Sequence, residues 1–227
     1  MLIKLRPKSE FSRNVLTLMT GTTIAQAIPI AISPILTRIY TPEDFGVFAL
    51  FIGVVGVISV IATLTYEQAI ILPKYDKYAI NIFMLSLILI LFTSIFSFII
   101  IFSFKEEILN LLNNDLLGNW LFFVPITVFF LALFNLLTNY NNRIKEYKDI
   151  AKATVIKSLV LSIIQVLIGF LKSGFAGLIL GQVLAQIFAN FKLAKNILKN
   201  KILLSSVSYI QMLVLARKYF NFPKYHM

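Results

Sequence analysis

Six long apolar runs dominate this chain, at roughly residues 14–37, 45–66, 80–103, 119–139, 154–171 and 174–192. Each supplies the roughly 20 residues that a helix needs to cross the hydrocarbon of a bilayer. No water reaches exposed backbone groups there, so a spanning segment must close its own hydrogen bonds as a helix. The expected fold class is therefore all-α, a membrane protein of about six transmembrane helices. Composition agrees. Of 227 residues 59% are hydrophobic and only 14% charged, with a mean hydropathy of +0.86, and a soluble domain of this size would carry far more charge on its surface. The basic start (Lys4, Arg6, Lys8, Arg13) resembles a signal peptide, but the run behind it is too long for one and five more follow. It reads as the first spanning helix.

The net charge of +11 would suggest nucleic acid in a soluble protein. Here the cations sit between the apolar runs, where they report topology instead. With the N-terminus in the cytoplasm, 18 Lys and Arg fall inside; only Arg38, Lys105 and Lys172 fall outside. The expected placement is the cell inner membrane, multi-pass, with both termini cytoplasmic and no nucleic-acid partner. There is no cysteine and one histidine, His226. That removes disulfides, thiol nucleophiles, Cys-based metal sites and histidine-dependent catalysis. No catalytic residue, cofactor or metal is expected.

Two connections carry turn chemistry, Thr41-Pro42-Glu43-Asp44 and Asn113-Asn114-Asp115. Lys105 to Leu117 suits a short amphipathic helix at the interface. Beyond residue 192 the chain becomes basic. Ile202 to Leu215 reads as an amphipathic helix drawn to anionic membrane lipids, with a seventh span as the alternative.

Polar residues inside the spans fall on single faces at 100° per residue. The first run aligns Thr22, Gln26, Ser33 and Thr37 and carries Pro29 and Pro34, so a kink is expected. The second aligns Gly56, Ser59, Thr63 and Glu67, and the third Ser86, Thr93 and Ser97. Thr127, Asn135 and Thr138 align in the fourth, and Ser158, Ser162 and Gln165 in the fifth. The sixth spaces Gln182, Gln186 and Asn190 at intervals of four. Such stripes describe either a bundle around a hydrated polar interior or interhelical hydrogen-bond glue. Glu67 reads either as an ion-coupling carboxylate or as a structural partner at the interface. Arg38 reads either as a phosphate contact or as an anchor for its helix end. Gly177 and Gly181 form a small-xxx-small pair, which points to close helix packing.

Several segments together resemble a known family: Ser12-Arg13-Asn14; the stretch Leu36-Thr37-Arg38-Ile39-Tyr40-Thr41-Pro42-Glu43-Asp44-Phe45-Gly46; Tyr66-Glu67-Gln68-Ala69-Ile70-Ile71-Leu72-Pro73-Lys74; Asn142-Arg143-Ile144-Lys145-Glu146-Tyr147-Lys148; and Arg217-Lys218-Tyr219-Phe220-Asn221-Phe222-Pro223-Lys224-Tyr225. They resemble the polysaccharide biosynthesis/export proteins, the Wzx-type lipid-linked oligosaccharide flippases of bacteria. The resemblance spans nearly the whole chain. It implies one lobe of a two-lobe exporter fold like that of multidrug and toxin extrusion transporters. Residues 1–192 would be a six-helix lobe and 193–227 a basic cytoplasmic interlobe linker, with the chain truncated before the second lobe. It also implies flipping of undecaprenyl-pyrophosphate-linked oligosaccharides, such as O-antigen or capsule units, and partners that include a polysaccharide polymerase and a chain-length regulator. On that reading Arg38 and Lys74 would contact phosphate at opposite mouths. Gln26, Gln182, Gln186 and Asn190 would face sugars, and Glu67 would couple an ion.

Three rivals stand beside it. A drug or cation exporter should carry several intramembrane carboxylates. A membrane glycosyltransferase or polymerase should show paired acids or a large outer loop. The third is a nonfunctional fragment or scaffold.

Overall fold

The computed structural model describes residues 10–171, 174–199, 205–220 and 222. Among them all regular structure is helical: α1 Glu10–Ile39, α2 Pro42–Ile61, α3 Asp76–Ser103, α4 Lys105–Leu112, α5 Phe123–Arg143, α6 Tyr147–Phe170, α7 Ala176–Leu198 and α8 Tyr209–Lys218. Short 3-10 helices, Tyr66–Ile71 and Asp115–Phe122, precede α3 and α5. Six helices are long and apolar enough to cross a membrane, namely α1, α2, α3, α5 with its 3-10 lead-in, α6 and α7.

Local chemistry sets several boundaries. Thr41 caps α2, accepting from the Asp44 N–H, while the Asp44 carboxylate accepts from the Thr41 N–H, with Pro42 in the first turn. This reciprocal box satisfies two backbone donors that a helix start leaves open. Asn113 ends α4 in the left-handed region at φ 47°, a conformation asparagine tolerates better than most residues. Asn114 then accepts from the Leu117 N–H to start the next turn.

α5 is the hub. It packs against α7, α3, α2 and the 3-10 helix Tyr66–Ile71. The core around it includes Phe51, Ile70, Ile82, Leu136 and Leu193, all with no exposed surface. α1 stands apart: its principal partner is α6, which in turn packs on α7. Arg143 reaches from α5 to Asp76, so the α2–α3 and α5–α6 connections share one end of the bundle. That end carries Lys74, Lys77, Lys145 and Lys148 and is called the basic end below. The other is the outer end.

Several expectations shift. α2 stops at Ile61, and the chain passes through left-handed Leu64 and Thr65 before the 3-10 helix. Glu67 therefore does not continue an α2 stripe. α6 begins at Tyr147, seven residues before the expected start. Lys157, one of the 18 cations counted as cytoplasmic although it falls within the expected run 154–171, thus lies ten residues into a spanning helix, about 15 Å along its axis. α7 continues to Leu198, past the expected limit of 192. The expected helix at Ile202 to Leu215 is met only in part: α8 runs from Tyr209 to Lys218, residues 205–208 are not helical, and 202–204 lie outside the described residues.

Candidate functional site

The polar stripes do not converge on a common interior. On α1, Thr22, Gln26, Ser33, Thr37 and Arg38 are all exposed; Thr22 and Thr37 donate to carbonyls of their own helix. On the inner helices the polar groups bind helices together. The Asn190 amide donates to the Phe130 carbonyl of α5 at 2.8 Å, and the Gln165 amide donates to the Leu178 carbonyl at 3.5 Å. Gln186 is fully buried, and neither of its amide atoms has a partner among the described residues. Gln182 is half-buried on the same helix. The hydrated-interior reading gives way here to the hydrogen-bond reading. The helices lie close enough for the Asn190 and Gln165 amides to reach a neighbour's backbone carbonyl, and a buried polar group is costly unless it finds such a partner.

The predicted site residues accordingly fall in separate places. Arg38 is exposed at the outer end of α1. Lys74 is exposed at the basic end, in a cleft with Asp76, Arg143 and Lys145. Glu67 is buried in the 3-10 helix with Oε2 unbonded among the described residues, close in sequence to the likewise unbonded Thr65 hydroxyl. Gln186 and Asn190 lie inside the bundle. Gln26 lines a groove between α1 and α6.

That groove follows the seam between α1 and α6. The two helices touch closely near the basic end, where a Cβ on Gly21 would come within 2.5 Å of the Ala151 Cβ. Along one flank of this contact lies a groove of about 640 Å³ whose lining includes Arg13, Thr17 and Lys152. On the opposite flank of the helix pair, beside Pro29, lies a separate groove of about 500 Å³, lined in part by Thr22, Gln26, Thr154, Lys157 and Ser158. The Lys157 ammonium sits 4.7 Å from the Phe134 ring centre, a cation–π contact, and has no carboxylate partner among the described residues. An unpaired lysine at membrane depth is a costly feature that commonly marks a functional path. Neither groove has an acidic residue in its lining. The seam can attract an anion and offer it hydroxyl and amide hydrogen bonds.

At the outer end the seam is shut by Tyr40. Its hydroxyl donates to the Gln165 carbonyl of α6 at 2.6 Å, and its ring packs edge-on to Phe45. Gly169 and Gly177 make the room. A Cβ at Gly169 would come within 2.9 Å of the Tyr40 ring, and one at Gly177 would collide with the Tyr40 hydroxyl. Burial, and then the nearby Asp44 charge, push the phenol up to about 12, so it stays protonated and donating at physiological pH.

Two clusters that sequence reasoning missed hold the basic end. The Arg143 guanidinium bonds to Asp76 and to the carbonyls of Ile70, Ile71 and Pro73, closing the 3-10 helix onto α5. Asn196 donates to Asn141 and Asp149, and Asp149 also pairs with Lys192 at 2.9 Å, joining α5, α6 and α7. No periodicity marks these residues, because the partners lie 43 to 73 positions apart in sequence. The chain also matches the model of a family described as polysaccharide biosynthesis protein, over residues 35–221. No curated protein and no solved structure matches it.

Proposed function

The chain belongs to the polysaccharide biosynthesis protein family, and from that membership we propose that it translocates undecaprenyl-pyrophosphate-linked oligosaccharide units across the inner membrane, without itself catalysing a reaction. The observation that carries this reading is the α1–α6 seam. Lys157 stands in the groove on one flank of it with Thr22, Gln26, Thr154 and Ser158, and Arg13 and Lys152 line the separate groove on the other flank. A pyrophosphate is a compact anion and a sugar a set of hydroxyls. A lysine with amide and hydroxyl neighbours suits both, and a weakly hydrated groove strengthens the attraction. An exporter of cationic drugs would need carboxylates where this seam carries cations. With the basic end in the cytoplasm, as the charge distribution favours, substrate would enter the Lys157 groove from that end. Tyr40 would close the opposite mouth, and its release would open the seam outward. Arg38 at the outer end and Lys74 in the cleft at the basic end are the phosphate contacts that this reading assigns outside the seam, and Glu67 is its coupling carboxylate.

The test is surface polysaccharide in a flippase-null strain that expresses the protein. Lys157→Gln should abolish surface polysaccharide and leave lipid-linked precursor on the cytoplasmic leaflet, while Lys157→Arg retains export. Wild-type export by Lys157→Gln would overturn the assignment.

A further inference from the structure

α8 has two apolar faces, and the bundle uses only one. Met212 and Leu215 turn inward and are buried. The helix is strapped down at both ends. The Ser208 N–H donates to the Asn81 carboxamide oxygen at 2.8 Å, and the Asn81 amide donates to the Ser206 carbonyl. Near the other end, the Tyr66 hydroxyl donates to the Ala216 carbonyl at 2.9 Å. Pointing away from this contact are Ile210, Leu213 and Val214, followed after the last turn by Phe220. They are 73%, 48%, 59% and 59% exposed, more apolar surface than a ten-residue helix leaves to water without a partner. Arg217 and Lys218, both exposed, close the last turn.

Charge and depth identify the partner. No Asp or Glu follows Asp149 in the sequence, so α8 and the end of α7, with exposed Lys195 and Lys199, present only positive side chains. Asn81, the inner strap, lies five residues into α3. That is about 7.5 Å along the axis from its basic-end terminus, the depth at which interfacial helices rest in the head-group region. We propose that the outer face of α8 docks on the anionic lipid surface of the bilayer at the basic end. Ile210, Leu213, Val214 and Phe220 enter the acyl boundary, and Arg217 and Lys218 meet lipid phosphates. Its inner straps then tie the 3-10 helix that carries Glu67 to the height of the membrane surface.

The chain has no cysteine, so Ile210→Cys and Val214→Cys can each carry a single polarity-sensitive fluorophore. The purified protein is reconstituted in vesicles of phosphatidylcholine alone, or of phosphatidylcholine and phosphatidylglycerol in equal parts. In the anionic vesicles the label should shift to the blue, resist aqueous iodide and be quenched by a shallow spin-labelled lipid. Arg217→Ser with Lys218→Ser, both at exposed positions, should lower the docked-to-undocked ratio by roughly thirtyfold, and high salt should act in the same direction. A label that stays open to iodide in both vesicle types would overturn the proposal. So would shielding that ignores lipid charge, because a protein surface would then be covering the helix.

Discussion

At Lys157 a positive charge is held inside a membrane helix with an aromatic ring as its described partner, an arrangement that lowers stability unless something is gained. Lys157→Met should therefore stabilise the protein while abolishing export. Thermal unfolding in detergent should show a gain of about 1 kcal/mol or more, and unchanged or lower stability would mean that the ammonium has a structural partner. Glu67 is the acidic counterpart, buried with one carboxylate oxygen unbonded among the described residues. Glu67→Gln keeps the shape and removes the charge. It should leave membrane insertion intact and cut lipid-linked sugar export, as read by precursor accumulation. Full export by this variant would reduce Glu67 to a packing role.

Between elements, the informative contacts are those that hold α1 against its neighbours at two points and leave a groove between them. Tyr40→Phe removes one buried hydrogen bond and should cost about 1 kcal/mol. Gly177→Leu should cost more, because the side chain displaces Tyr40 altogether. Thermal unfolding ranks the two, and both should make a cysteine at Thr37 more reactive as the outer end of α1 loosens. At the basic end Arg143→Ala strips a charged donor from three carbonyls and Asp76. A loss of about 2 kcal/mol is expected, with faster amide exchange confined first to residues 64–75. Uniform exchange across the bundle would show that Arg143 is not a local clamp.

For the whole molecule the open question is sidedness, and the charge distribution makes a definite proposal. Asn114 lies at the outer end beside α4, and Lys145 lies at the basic end between α5 and α6. With a single cysteine at either position, an impermeant thiol reagent applied to intact cells opened only at the outer membrane should label Asn114→Cys and spare Lys145→Cys. Labelling of Lys145→Cys alone would invert the topology and with it the direction of the seam. The family motifs also acquire a physical meaning at this scale. Tyr40 is the outer wedge, Thr41, Pro42 and Asp44 are the α2 cap, Tyr66 straps α8, and Arg143 gathers the carbonyls around Pro73. In this chain these residues hold the bundle's geometry.

Hydropathy is a local, additive property, and so the six spans, their order, the capping box at Thr41 and the concentration of cations on the connections were all legible in the residues themselves. Helical phase was legible too. It showed which face of each helix is polar but not what that face meets, because the partner is chosen by packing between residues far apart in the chain. Tyr40 meets Gln165 and Gly177, Asn81 meets Ser208, and Asn190 meets Phe130. Only the tertiary structure separated the stripe left open on α1 from those consumed as glue between α5, α6 and α7. Lys157 shows the limit most clearly. The expected run 154–171 contains it, but a lysine there counts among the cytoplasmic cations, because charge alone does not show how deep along its helix a residue lies. The helix continues through it because its backbone bonds are made regardless of that side chain, and the neighbouring α1 provides a groove in which the charge can stand.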